Sequence, residues 1–123
     1  IFNYTDMGND MLEDGLYVLE ENLADPAFKE KMVRFVRASM KGWEYALANA
    51  DEAAQIVVDN GGQDIEHQKY MMGEVAKLVG DSKGVLDEAA FDRTAKMVLD
   101  QKIITQQPEG AWTHEIMEKA QGS

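Results

Sequence analysis

The sequence predicts a mainly α-helical chain, with a short β-segment at its N-terminus followed by about five helices. Two observations carry that expectation. Beyond residue 25, apolar residues recur at steps of three and four, and residues that start or stop helices fall at the ends of these runs. Before residue 25 the helical period is missing, and a short apolar run of strand length takes its place. The expected division is a strand segment over residues 1–24 and a helical part over residues 25–123.

Taken in order, Ile1-Phe2-Asn3-Tyr4 has the composition of a strand end, and Thr5-Asp6-Met7-Gly8-Asn9-Asp10 carries turn chemistry. Gly15-Leu16-Tyr17-Val18-Leu19 reads as a strand, although a run this short also suits a buried helical turn. Asp25-Pro26 opens the first long helix, Asp as the cap and Pro giving up an N–H that has no partner there. Phe28, Met32, Phe35, Val36, Met40, Trp43 and Leu47 then form one continuous apolar stripe. Lys29, Lys31, Arg34, Arg37 and Lys41 fall mainly off it and read as a solvated face. Asn49 and Glu52 have the spacing of a capping box for a second helix through Ile56 and Val57, which Gly61-Gly62 ends. A third helix is expected from about Asp64 to Val79, with Met71, Met72, Val75 and Val79 inward and Gly80 as its stop. Asp87 caps a fourth, with Phe91, Ala95, Val98, Leu99 and Ile103 inward. After a loop at 106–110, Thr113 caps a short final helix and Trp112 packs back on its first turn.

With 123 residues the chain is long enough for one domain with a core. Hydrophobic residues at 45% and charged residues at 28% are ordinary globular composition, which argues against disorder. The formal charge of −11 repels phosphate backbones and anionic lipid, so neither nucleic acid nor a membrane surface is an expected partner. The chain has no cysteine, which removes disulfide scaffolds, thiol catalysis and thiolate metal sites. No apolar run approaches the ~20 residues of a membrane span, and the opening lacks the pattern of a signal peptide. A start at Ile1 suggests a processed or truncated product.

Catalytic patterns are missing. His67 and His114 lie on different expected helices and outside any zinc-protease spacing. There is no nucleophile elbow and no phosphate loop. Asp6, Asp10, Glu13 and Asp14 are acidic enough to hold calcium, but the loop pattern for it is absent. Met71-Met72 reads as adaptable core filler. What remains is the acidic, irregular stretch from Tyr4 to Asp14, lying between two expected strands where α/β proteins place ligand-contacting loops. Its competing reading is an acidic surface turn.

The segment Arg34-Phe35-Val36-Arg37-Ala38-Ser39-Met40-Lys41-Gly42-Trp43-Glu44-Tyr45-Ala46 closely resembles a motif of the ABC-importer binding proteins that include the thiamine-pyrimidine, taurine, sulfonate and nitrate binders. In that family an R-F-[VL]-R-A-[ST]-x-K-G-W helix precedes an [EN]-x-x-E-A-A-x-I-[VL] helix, matched here by Asp51-Glu52-Ala53-Ala54-Gln55-Ile56-Val57-Val58. The likeness extends upstream to Asp6-Met7-Gly8 and Met11-Leu12-Glu13-Asp14-Gly15. Downstream it runs through Gly84-Val85-Leu86-Asp87 and Phe91-Asp92-Arg93-Thr94 to Ile103-Ile104.

The resemblance implies the C-terminal part of a two-lobed α/β periplasmic binding protein of type II. Such a protein captures a small organic solute outside the cytoplasm and delivers it to the membrane permease of an ABC importer. It further implies that residues 1–24 re-enter from the crossover and face the cleft. Glu13 matches the family's acidic ligand residue, and Asp14, Asp6, Asn9 and Met11 lie beside it as ligand contacts. The acids favour a cationic or N-heterocyclic solute. Met11-Leu12 departs from the pyrimidine binders, which carry aromatic residues there. No catalytic residue, metal or cofactor is expected. The alternatives are a free-standing helical interaction module and a fragment of a thiamine-pyrimidine synthase-like enzyme. Without a sheet beneath them, the helix stripes should leave an apolar patch through which the chain self-associates.

Overall fold

A computed structural model describes residues 4–8, 11–12, 14–79 and 82–122. Among them it contains a 3₁₀ turn at Thr5–Met7 and six α-helices. The helices are α1 (Glu20–Leu23), α2 (Pro26–Ala48), α3 (Ala50–Asp59), α4 (Ile65–Val79), α5 (Glu88–Asp100) and α6 (Glu115–Gln121). The chain is thus mainly α, and no strand forms among the described residues.

The expected strand at Gly15–Leu19 is the first correction. The segment has no ladder partner, and Leu16, Tyr17 and Leu19 stand out in solvent, with Tyr17 84% exposed. A strand exists only when a neighbour takes its N–H and C=O groups, and no other described segment offers an edge. The other expected strand end, at Ile1–Asn3, lies outside the described residues, and Tyr4 begins the turn whose Met7 N–H donates to Tyr4 O.

Caps set most helix boundaries where the sequence put them. Asp25 Oδ1 accepts from Ala27 N at 2.9 Å with Pro26 at the first helical position of α2. Asp64 Oδ1 accepts from His67 N at the start of α4, and Asp87 Oδ1 accepts from Ala89 N and Ala90 N at the start of α5. Gly61, at φ +98°, and Gly62 close α3 in a Schellman turn. Gly62 N donates to Val57 O at 2.8 Å and Gly61 N to Val58 O at 3.2 Å.

The capping box of Asn49 and Glu52 does not form. A single residue separates α2 from α3, so Asn49 must end one helix and begin the next. Its backbone N–H, which the box would give to Glu52, donates to Tyr45 O at 2.9 Å, and its side-chain amide donates to the same oxygen. Glu52 instead accepts from the Tyr45 hydroxyl at 2.7 Å, bracing the corner. Thr113 acts one residue further from its helix than expected. His114 is the cap residue of α6, but Thr113 Oγ1 still accepts from Glu115 N.

Helix α2 carries two apolar faces where the sequence suggested one stripe. Val33 and Val36 are buried together with Ala120 of α6, and Met40, Ile116 and Met117 pack around them. Phe35, Trp43 and Leu47 point elsewhere and stay exposed. Two of the basic residues expected in solvent hold α6 in place. Lys29 Nζ meets Glu115 Oε2 at 2.7 Å, and Arg37 donates to the carbonyls of Ala120 and Lys119, both at 3.2 Å. These last carbonyls of α6 are orphan acceptors that a guanidinium satisfies well. α4 packs on α3, joined by the Lys69–Asp51 ion pair at 3.1 Å. Met72, Val75 and Val79 are half-buried as expected, but Met71 is exposed.

α5 buries Ala90 and Ala95, and Phe91, Val98 and Leu99 are half-buried. Ile103 was expected inward but is 72% exposed. Its N–H donates to Val98 O in a Schellman turn with Lys102 at φ +60°, which swings the chain away from the helix face.

The buried hydrophobic set of the described residues is two valines and five alanines, with no leucine, isoleucine, methionine or aromatic side chain. A compact monomer of 13.8 kDa exposes about 6,600 Å². This chain exposes 9614 Å². α2 packs on α6 and α3 on α4, whereas α5 has no comparable helix partner, and the bulky side chains of the described residues share no common interior.

Candidate functional site: an acidic segment and an uncharged groove

Of the residues the sequence singles out for ligand contact, Asp6, Met11 and Asp14 are described and all three are exposed; Asn9 and Glu13 lie outside the described residues. The segment is tied to α5 by one hydrogen bond, Leu12 N donating to Thr94 Oγ1 at 2.9 Å, while the Thr94 hydroxyl donates to Ala90 O at 2.8 Å. That bond fixes where the acidic stretch crosses the helical part. It brings Asp6, Met11 and Asp14 into the lining of neither of two concavities on the helical part.

The first concavity lies in the seam between α2 and α6, about 470 Å³, lined by Glu30, Val33, Arg37, Lys119 and Gly122. Its charges are engaged within the helices: Arg37 donates to the last carbonyls of α6, Lys119 pairs with Glu115 and Glu30 with Arg34. Glu115 at that seam receives Lys119 Nζ at 2.8 Å and Lys29 Nζ at 2.7 Å. The hydrogen bond from Lys119, then that from Lys29, hold its carboxyl at about 2, well below the usual carboxylate range. This arrangement docks one helix on another.

The second concavity is an open groove of about 390 Å³ between the C-terminal half of α2 and α3, with Met72 of α4 at one side. Its lining combines small residues, Gly42 and Ala46 from α2 and Ala53 from α3, with the larger Trp43, Ile56 and Val57. No charged side chain lines it. Helical geometry explains the surface, since residues 39, 42 and 46 fall on one side of α2, and Phe35 lies one turn earlier on that side. The Tyr45–Glu52 hydrogen bond spans the α2–α3 corner beside the groove. It also pushes the Tyr45 hydroxyl above its ordinary value, because the carboxylate stabilises the protonated phenol.

Sequence reasoning missed this groove. The signal is small residues at 39, 42 and 46 on one side of α2 with Ala53 on α3, which look like gaps beside the bulky stripe. Chemically the groove offers apolar contact and little else. Of the two histidines, His67 is exposed and only its backbone N–H donates to Asp64 Oδ1, whereas the His114 ring packs on Trp112 at 4.8 Å with Nε2 3.2 Å from Leu86 O. Among the described residues there is no group of three or more His, Asp or Glu able to hold a metal ion, and no helix is long and apolar enough to cross a membrane. Comparison with protein-family models, with curated proteins and with solved structures finds no match.

Proposed function

We propose that this chain is the C-terminal part of a solute-binding protein that captures a small organic solute outside the cytoplasm and passes it to the permease of an ABC importer, with no catalysis of its own. One observation carries the reading: the helices are half-dressed. Each of α2 and α3 covers one face with a neighbouring helix and leaves large apolar side chains bare on another, Phe35 and Trp43 on α2, Ile56 and Val57 on α3. The segment Leu16–Leu19 is likewise apolar and exposed, with no ladder partner among the described residues. Helices with an unspent apolar face and a strand-like segment without a sheet are what the outer layer of an α/β lobe presents when the sheet is contributed by other residues. The helix motifs at 34–46 and 51–58, which resemble the binding-protein family, fall on this α2–α3 corner.

In this reading the sheet of the lobe lies against the bare faces, and the parent protein has the two-lobed architecture of the type II periplasmic binding proteins. The acidic stretch from Tyr4 to Asp14 faces the cleft, where Glu13 and Asp14 accept charge-assisted hydrogen bonds from a cationic or N-heterocyclic solute as a hinge closes over it. The test is calorimetric binding of a panel of such solutes to the complete protein and to its Glu13→Gln variant. A solute should bind the parent protein, and the variant should lose affinity with little change in thermal stability. Binding that ignores the substitution would remove Glu13 from the site, and no binding across the panel would count against solute capture.

The bare groove favours a second reading, a helical module that docks apolar partners. It differs in requiring no sheet and no solute.

A further inference from the structure

The turn that ends α3 carries a reactive pair. Asn60 is followed by Gly61, whereas the other described asparagines, Asn22 and Asn49, precede Leu23 and Ala50. The amide carbon of an asparagine is open to attack by the backbone nitrogen of the next residue, and glycine, with no Cβ, leaves that approach clear. Asn60, Gly61 and Gly62 are all exposed, so water and base reach them.

We propose that Asn60–Gly61 is a deamidation site that the folded α3 turn holds back. In the step, Gly61 N gives its proton to a solvent base and bonds to Asn60 Cγ. The Cγ–Nδ2 bond breaks, and Nδ2 takes a proton from water and leaves as ammonia. Water then opens the succinimide ring at either carbonyl and leaves aspartate or isoaspartate. The net change is water in and ammonia out, with no oxidant or cofactor.

The folded turn ties down both reacting groups. Asn60 Nδ2 reaches back along α3 to donate to Ile56 O at 2.7 Å, and Gly61 N donates to Val58 O at 3.2 Å. Both bonds must break before the ring closes. Each is worth roughly a fivefold factor, so the turn should slow the step about twenty-five-fold. The product does not restore the turn. A carboxylate has no hydrogen to give Ile56 O, and its charge at the C-terminal end of α3 is opposed by the helix dipole. Isoaspartate also lengthens the main chain inside the loop that the Gly62 N to Val57 O hydrogen bond closes. α4 packs on α3 across this turn, so the modification loosens that pair.

The experiment is peptide mapping by mass spectrometry of the chain held in mildly alkaline buffer, folded or unfolded in guanidinium chloride. Amide loss should occur at Asn60 and not at Asn49, and roughly twenty-five-fold faster in the unfolded chain. A Cβ on Gly62 would lie 2.7 Å from Val57 O, so Gly62→Ala opens the turn while leaving Asn60 and Gly61 unchanged. The folded variant should react faster than the folded parent, and the two should match when unfolded. No amide loss at Asn60 in guanidinium chloride overturns the proposal. Equal rates for the folded and unfolded parent, or a Gly62→Ala variant as slow as the parent, overturn it too. If Gly62→Ala loses its helical circular dichroism, hydrogen exchange of Gly61 N–H in the parent decides instead. Its protection should match the slowing at Asn60, and an unprotected Gly61 N–H contradicts the proposal.

Discussion

Adjacent residues on α2 give opposite expectations for stability. Val33 is 3% exposed, inside the cluster with Val36 and Ala120, whereas Phe35 is 51% exposed. Val33→Ala removes two buried methyl groups, about 1.6 kcal/mol at 0.8 kcal/mol per buried carbon. The residual cavity adds to this, but Met40 and Met117 beside it are adaptable and should fill part of the space. The expected cost is about 2 kcal/mol, or roughly 8 °C in Tm for a chain of this length. Phe35→Ala deletes a whole ring, yet half of that ring is already hydrated. Its expected cost is about 1 kcal/mol, half the lower-to-middle range for full burial. Urea unfolding followed by circular dichroism, in dilute solution so that association does not contribute, measures both. The order is what matters. A Phe35→Ala cost of about 3 kcal/mol or more is what a core phenylalanine shows, and it would refute the two-faced reading of α2.

Three smaller predictions follow from the turns and the α2–α6 seam. Lys102 sits at φ +60°, a conformation that costs an L-residue roughly 1 kcal/mol, so Lys102→Gly should raise stability by about that amount in the same urea assay. A Cβ on Gly62 would lie 2.7 Å from Val57 O, so Gly62→Ala should open the Schellman turn and lower Tm, and an unchanged Tm would deny that turn. Glu115 is depressed in the folded chain to about 2, by Lys119 and then Lys29. Its contribution to stability is therefore complete above the unfolded carboxyl value of about 4.3 and is lost as pH falls from there toward about 2. Titration of the Glu115 carboxyl carbon by NMR should show the low midpoint, and a midpoint near 4 would mean the two lysines do not hold it.

Much of the helical order was legible because it rests on local chemistry. Asp25-Pro26, Asp64, Asp87 and Gly61-Gly62 act on their own neighbours within one turn, so their meaning survives without knowledge of the rest of the chain. What failed depended on distant partners. A strand at Gly15–Leu19 needs an edge that no nearby residue reveals. The Asn49–Glu52 spacing takes no account of Tyr45, whose carbonyl accepts the backbone N–H that the box requires. Lys29 and Arg37 looked like solvated charge because their partners, Glu115 and the last carbonyls of α6, lie more than 80 residues away. Composition marks Tyr4 to Asp14 as acidic and irregular, and the Leu12–Thr94 hydrogen bond gives its crossing point on α5. The small-residue groove was hidden because glycine and alanine at helical spacing read as gaps in an apolar stripe and not as a surface.

The central claim is that these helices are one layer of a larger lobe that binds a solute. The measurement that tests it most directly is the sequence of the coding DNA immediately upstream of the Ile1 codon. The account predicts an open reading frame continuing in phase, with an export signal followed by alternating strand and helix patterns that supply the missing sheet. A start codon directly before Ile1, or an in-frame stop there, would contradict it, and the helical corner would then have to work with the partners its bare groove recruits.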